Sequence, residues 1–340
     1  MTDDGRSDEA VAVVERYARF ARDEAPGRSA LYAEWAGGVA ADAEVAAILA
    51  RIPGTRRQPP LVFAVTRMLG APEETFPVWA AWLRAHADEV VAEASRRRLQ
   101  TNEPQRCAAL LPALATIERP IALLELGASG GLCLFPDRYS YRYRSSDGVA
   151  VLDPADGPSS VVLECDVTGD PPLRMPRVVW RAGIDLDPLD AADTGDRRFL
   201  TSLVWPGEGG RAERIAAALD VAAADPPLLL AGDASDPGVL HAAAALAPAG
   251  ATLVVTTPGV LPHIPRAGRE RLIEAVHALD AVWITIDPPG LHEWWHPPVD
   301  PGTWGGFVLG RDGEALAAVD PLGGFVHWRA WRDEATDAAG

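Results

Sequence analysis

Up to about residue 119, apolar residues return at helical spacing; from Ile121 onward they gather into short runs separated by turns. Val11, Val14, Ala18 and Ala21 fall on one helical face, and Phe76, Trp79, Ala80, Leu83, Val90 and Val91 on another. Pro26-Gly27, Pro53-Gly54 and Ala71-Pro72 interrupt the pattern, because proline cannot continue a helix and glycine loses the most backbone entropy inside one. Residues 1–119 therefore read as a helical cap domain.

Beyond them strands alternate with helices, as in a mostly parallel α/β sheet. The predicted strands are Ile121–Leu126, Arg177–Ile184, Pro227–Ala231, Ala251–Thr257 and Ala281–Ile286. Helices are predicted around Arg211–Ala224, from Asp236-Pro237 to about Pro248, and over Arg266–Leu279. Asp236 suits an N-cap and Pro237 the first helical turn. Gly306–Leu309 and Ala315–Val319, around Arg311-Asp312-Gly313, predict an antiparallel C-terminal hairpin, with Gly324–Trp328 beyond it. This α/β domain is expected to span residues 120–334, with a disordered tail at 335–340.

Glu125 to Asp185 spans sixty residues, more than one helical connection needs. Residues 137–176, with Tyr139, Tyr141 and Tyr143 in alternation and strand-like Val161–Val167, read as an inserted hairpin. A competing reading makes Tyr139–Tyr143 the second core strand and moves its terminal acid from Asp185 into the insertion.

The chemistry is densest at Ile121 to Leu132, I-A-L-L-E-L-G-A-S-G-G-L, a buried strand running into a glycine-rich turn. Gly127, Gly130 and Gly131 allow a sharp turn and close approach to a ligand. A short helix is predicted to start near Ser129, aiming free N–H groups above the strand end. A dinucleotide fingerprint needs G-x-G-x-x-G, and counting from Gly127 the second and third places hold Ser129 and Leu132. Glu125 instead completes E-x-G-x-S-x-G, which resembles the E/D-x-G-x-G-x-G turn of S-adenosylmethionine-dependent methyltransferases. The alternative is a turn that binds nothing.

That resemblance implies a Rossmann-like class I methyltransferase sheet after the α-helical N-terminal domain. It implies S-adenosylmethionine as cofactor, held by Glu125, Gly127, Ala128, Ser129 and Gly131. Asp185, ending the second core strand, would meet the ribose, and Asp233, ending the third, the adenine. Open α/β sheets bind ligands at strand carboxyl ends beside the switch point, which is where these acids would converge.

The chain as a whole also resembles the uncharacterised bacterial domain-of-unknown-function family 2332. The likeness rests on Gln100-Thr101-Asn102-Glu103 with Arg106-Cys107, on E-L-G-A-S-G-G-L, and on Asp137-Arg138-Tyr139-x-Tyr141. Arg181 to Asp190 (R-A-G-I-D-L-D-P-L-D) and Trp205-Pro206 with Arg211 and Arg214 complete it. The resemblance implies a methyltransferase-like fold and no particular reaction. Gly130 and Cys133 depart from the alanine and asparagine common there, and Gly323-Gly324 replaces an expected His-Gly.

Composition narrows the partners. The content is 48% hydrophobic and 23% charged, as in soluble globular proteins. No run of about eighteen apolar residues occurs, and the acidic N-terminus lacks signal-peptide features, so the expectation is a cytoplasmic chain without a membrane partner. Cys107, Cys133 and Cys165 have no C-x-x-C spacing and suit a reduced compartment as small core residues. All 31 residues counted as Lys or Arg are arginine, which excludes Schiff-base and phosphate-loop lysine chemistry. A net charge of −17 argues against nucleic acid and for a small-molecule acceptor.

Further candidates flank the glycine turn. Gln100, Asn102 and Glu103 precede the sheet and could meet cofactor or acceptor, Glu103 as a catalytic group; the competing role is a helix terminus capped by Thr101 or Asn102. Arg106 and Arg181 suit a carboxylate of cofactor or substrate, or salt bridges to Glu125 or Asp187. His263 and His292, after later strands, are candidate general bases, and Trp294, Trp295 and Trp304 candidate walls of an acceptor pocket. His292-Glu293-Trp294-Trp295-His296 spells H-E-x-x-H, but Asp287-Pro288-Pro289-Gly290 and Pro297-Pro298 leave no room for the helix that zinc chemistry requires. No metal is expected. The reading is an S-adenosylmethionine-dependent methyltransferase for a small acceptor, with a non-catalytic ligand-binding protein as the alternative and a zinc hydrolase using His292 and His296 behind both.

Overall fold

The computed structural model describes residues 4–329; the tail expected at 335–340 lies outside the described residues. Helices come first: α1 (Asp4–Arg19), α2 (Ala30–Ala41), α3 (Ala43–Leu49), α4 (Pro59–Met68), α5 (Phe76–Ala85), α6 (Ala87–Arg96) and α7 (Arg106–Leu114). The sheet follows, with β1 (Ile121–Leu126), β2 (Ser140–Ser145), β3 (Gly148–Leu152), β4 (Val162–Thr168) and β5 (Val178–Asp185). Then come α8 (Thr194–Ser202), α9 (Arg211–Ala224), β6 (Leu228–Ala231), α10 (Pro237–Ala244), β7 (Thr252–Pro258), α11 (Arg266–His277) and β8 (Ala281–Asp287). The chain closes with β9 (Phe307–Arg311), β10 (Glu314–Val319) and β11 (Phe325–Trp328).

Two compact units result, residues 1–101 with 193–216, and residues 102–192 with 217–340. The first has an aromatic core in which Trp35 stacks on Trp79 at 5.1 Å and Phe63 meets both rings edge-on. Along α1 and into the π-helical turn that follows it, Phe20–Glu24, the buried face is Val13, Tyr17 and Phe20, whereas Val11 is exposed. This differs from the expected Val11, Val14, Ala18 and Ala21 stripe because two aromatic side chains remove far more surface from water than alanines do. Arginines tie residues 193–216 into the same unit. Arg67 donates to Ser202 O at 2.8 Å and Val204 O at 2.6 Å, Arg97 pairs with Asp196, and Arg28 pairs with Glu208 while lying over Trp205.

The second unit holds one mixed, mostly parallel sheet in the order β3-β2-β4-β11-β10-β9-β8-β7-β1-β5-β6. Its core β6-β5-β1-β7-β8 is wholly parallel. Counted along the chain, those five strands lie 3-2-1-4-5, so the direction of winding reverses between β1 and β7. β1 is buried throughout, as its unbroken apolar run requires. Leu124, Leu126, Ile184 and Val255 from the strands pack with Leu240, Leu272 and Val276 of α10 and α11 on one face; α7 packs against β4, β8 and β9.

The insertion is not a separate hairpin. β2 and β3 do form one, but β4 pairs in parallel with both β2 and β11, so the segment lengthens the main sheet. Main-chain groups on an open edge call for partners, and the end of the sheet at β11 supplies them. Its tyrosines are buried with hydroxyls donating to Leu132 O, Pro136 O and Ala108 O. Tyr139–Tyr143 is therefore remote from β1 in strand order, and Asp185 does end the strand beside it.

Candidate functional site

The switch point opens between the carboxyl ends of β1 and β7, and the groups of greatest chemical interest stand there. Glu125, the fifth residue of β1, is 4% exposed, and its Oε2 has no hydrogen-bond partner. Burial pushes its carboxyl well above the ordinary range; the neighbouring Cys133 and Asp185 add to the shift, and Arg106 opposes it. Asn102 Nδ2 is likewise buried and unpartnered. An orphaned acceptor and an orphaned donor in one unit are unusual, since buried polar atoms are nearly always paired.

Arg106, the first residue of α7, reaches over the end of β7. It donates from Nη1 to Pro258 O at 2.9 Å and from Nε to Pro321 O at 2.9 Å, and a Cβ on Gly259 would lie 3.2 Å from Nη2. None of these is a carboxylate, so the cation is held in place by carbonyl dipoles. His263, in the short 3-10 turn after β7, is exposed at its rim; partial desolvation and then the Arg106 charge hold its protonation below the usual imidazole range. Glu103, a candidate catalytic group, accepts from Gln105 N through Oε1 at 3.0 Å in the turn before α7. No side chain caps α7 at Gln105, so neither Thr101 nor Asn102 fills the expected capping role. Gln100 lies in the helical unit.

The glycine turn differs from the expectation in one respect. No α-helix starts at Ser129: a single 3-10 turn, Leu132–Leu134, follows, and the chain then enters β2. Gly127, Ser129 and Gly131 all have positive φ, at 78°, 53° and 74°. A coil of alternating sign cannot continue into a helix, and its N–H groups are used internally. Gly127 N and Ala128 N donate to Ile184 O, and Ser129 N donates to Asp185 Oδ2 at 2.8 Å. The turn is seated on β5, where Gly183 leaves the space that Ala128 fills.

Asp185 braces that turn, its other oxygen accepting from Asp187 N at 2.9 Å. Asp233 follows β6, exposed, with Oδ1 accepting from Ser235 N. β5 and β6 neighbour β1 in succession, so the three acids lie along one edge of the sheet. Arg181 does not face this edge cluster. Its guanidinium pairs with Asp137 at 2.8 Å, donates to Leu134 O and lies 4.8 Å over Phe135, so its ion-pair partner is neither Glu125 nor Asp187.

On the other side of the switch point, β8 ends in a buried polar chain; sequence reading named His292 as a candidate but missed Asp287, Thr285 and Thr257. Asp287 is fully buried, and its Oδ2 meets His292 Nε2 at 3.0 Å. Thr285 Oγ1 donates to the same oxygen, Thr257 Oγ1 donates to Thr285 Oγ1 at 2.7 Å, and Trp283 Nε1 donates to Thr257 Oγ1 at 2.9 Å. Asp287 Oδ1 has no partner. The available signal was an acid at the end of a parallel strand, masked because Asp287-Pro288-Pro289-Gly290 reads as a simple breaker.

Trp294 lies 4.4 Å from the His292 ring and is half-exposed. Trp295 is not a wall: it is buried with Val308 and Ala315, against the bare backbone of Gly310. Residues 292–296 form no helix; the His296 backbone bridges to Glu314 of β10, so the two histidines do not share a helical face. No grouping of three metal-binding side chains occurs among the described residues, and no helix among them is long and apolar enough to cross a membrane.

Fold and site together define a mixed α/β protein with a large, mostly parallel sheet and a polar cluster along the carboxyl ends of its core strands. No curated protein and no solved structure matches the chain. A family model does, over residues 14–328: the chain belongs to the uncharacterised proteins conserved in bacteria known as DUF2332.

Proposed function

We propose that the chain is a cytoplasmic S-adenosylmethionine-dependent methyltransferase acting on a small-molecule acceptor, built on a class I sheet. The observation that carries this reading is the orphaned, buried carboxyl of Glu125 at the switch point, beside an Arg106 guanidinium bound only to carbonyls. A zwitterionic amino-acid group suits such a pair: its ammonium can donate to Glu125 and its carboxylate can meet Arg106. Glu125, Arg106 and the turn at Gly127, Ala128, Ser129 and Gly131 would hold that end of the cofactor, Asp185 the ribose and Asp233 the adenine. When bound, the cofactor supplies an electrophilic methyl group. The 3-2-1-4-5 core supports the placement, since open sheets take ligands beside the reversal.

One observation favours a second reading, a non-catalytic ligand-binding protein: the N–H groups of Gly127, Ala128 and Ser129 are already engaged inside the fold. Calorimetric titration with S-adenosylhomocysteine, with NAD as control, tests the first reading. Saturable binding near one per chain, weakened at least tenfold in Asp233→Ala, is expected. Absence of binding in folded protein overturns it, whereas binding without turnover over a broad acceptor panel favours the second.

A further inference from the structure

The hydrogen-bond chain at the end of β8 has a direction that its chemistry dictates. An indole N–H can only donate, so Thr257 Oγ1 accepts from Trp283, and its own hydrogen lies toward Thr285 Oγ1 at 2.7 Å. Thr285 Oγ1 in turn gives its hydrogen to Asp287 Oδ2. The hydrogens of this chain run toward Asp287 Oδ2, which is the acceptor at its end. A carboxylate oxygen accepts, so His292 Nε2 is the donor across the 3.0 Å contact. In the neutral ring the remaining nitrogen, Nδ1, then carries the free lone pair, and no hydrogen bond among the described residues uses it.

We infer that Asp287 and His292 form a proton-accepting dyad, with His292 Nδ1 taking the proton of an uncharged phenolic hydroxyl and Asp287 as the positioning residue. The surroundings select the ligand class. Trp283, Trp294 and Trp295 all pack around the His292 ring, at 6.5, 4.4 and 5.1 Å between centroids, and provide no cation for an anionic ligand. Trp294 has 39% of its surface free, enough for a flat ring to lie against it. The proton balance closes within the site: the hydroxyl proton moves to Nδ1, the imidazolium faces the Asp287 carboxylate, and the proton leaves to water when the ligand does. That the phenol is also the methyl acceptor rests on the methyltransferase reading; the proton site does not.

The test uses the full chain, labelled with 15N-histidine, and phenol as the probe. Long-range 1H–15N spectra at neutral pH are expected to place the His292 proton on Nε2. Phenol in the millimolar range should shift the Nδ1 resonance saturably. Trp294→Ala, on a half-exposed ring, should weaken that response at least threefold, and Asp287→Leu, which cannot accept, should abolish the Nε2 preference and weaken it at least tenfold. Asp287→Asn, which keeps the shape and one carbonyl oxygen but removes the charge, reads a smaller loss in the same direction if Asp287→Leu does not fold. A proton on Nδ1, or His292 resonances that phenol leaves unmoved, overturns the dyad. A phenol response alongside silent S-adenosylhomocysteine calorimetry removes the methyltransferase reading and leaves the dyad standing; the reverse pair of results does the opposite.

Discussion

Replacing Glu125 by Gln should change how stability depends on pH, with a slope that separates two states of the carboxyl. Burial dominates its surroundings and raises the folded-state proton affinity well above the unfolded value of about 4.3. The folded chain therefore holds one more proton than the unfolded chain between those two values. For such a group the contribution to stability is complete below the unfolded value and is lost as pH rises through the folded one. One proton corresponds to about 1.4 kcal/mol per pH unit, so wild type should lose that much relative to Glu125→Gln for each unit across the window. The two proteins share every other titrating group, and subtracting their profiles isolates this one. Urea unfolding of both, from pH 5 to pH 8, supplies the measurement. If Arg106 instead held Glu125 as an ion pair, both states would be ionised throughout this range and the two profiles would run parallel. Parallel profiles would refute the argument.

Two further predictions concern packing. A methyl at Gly183 would lie 2.3 Å from Ala128 Cβ, so Gly183→Ala should cost about 1–3 kcal/mol in urea unfolding, and adding Ala128→Gly should restore most of it. In the helical unit, Arg67→Met would strand the carbonyls of Ser202 and Val204, costing about 2–4 kcal/mol and raising amide exchange locally over residues 194–204.

Much of the fold was legible because it follows from local patterns. The five core strands, the C-terminal hairpin and the helix at Arg266 lie within a residue or two of their expected places, and the helix at Asp236 starts as expected but ends four residues early, at Ala244. Their apolar runs and turn residues act over a few positions, so the signal is contained in the segment itself. Family membership was legible for a different reason, since ordered motifs survive in the string whatever they do in space.

Side-chain pairing was another matter. Arg181 could have met Glu125, Asp187 or Asp137, and only the strand register that sets Leu123 opposite Arg181, with Asp137 brought back under β5, chose the last. Asp287 looked like part of a proline-rich break until Thr257, thirty residues earlier, and Thr285 were set on adjacent parallel strands, where their hydroxyls meet. Glu125 was visible as an acid near a glycine turn, but its orphaned oxygen is a property of what surrounds it, not of its neighbours in the chain. Periodicity along the sequence thus determined which segments would be strands and helices, and placed the acids at strand ends. The tertiary structure alone decided which of those acids would be braced, paired or left without a partner, because burial and hydrogen bonding depend on groups that approach from distant parts of the chain.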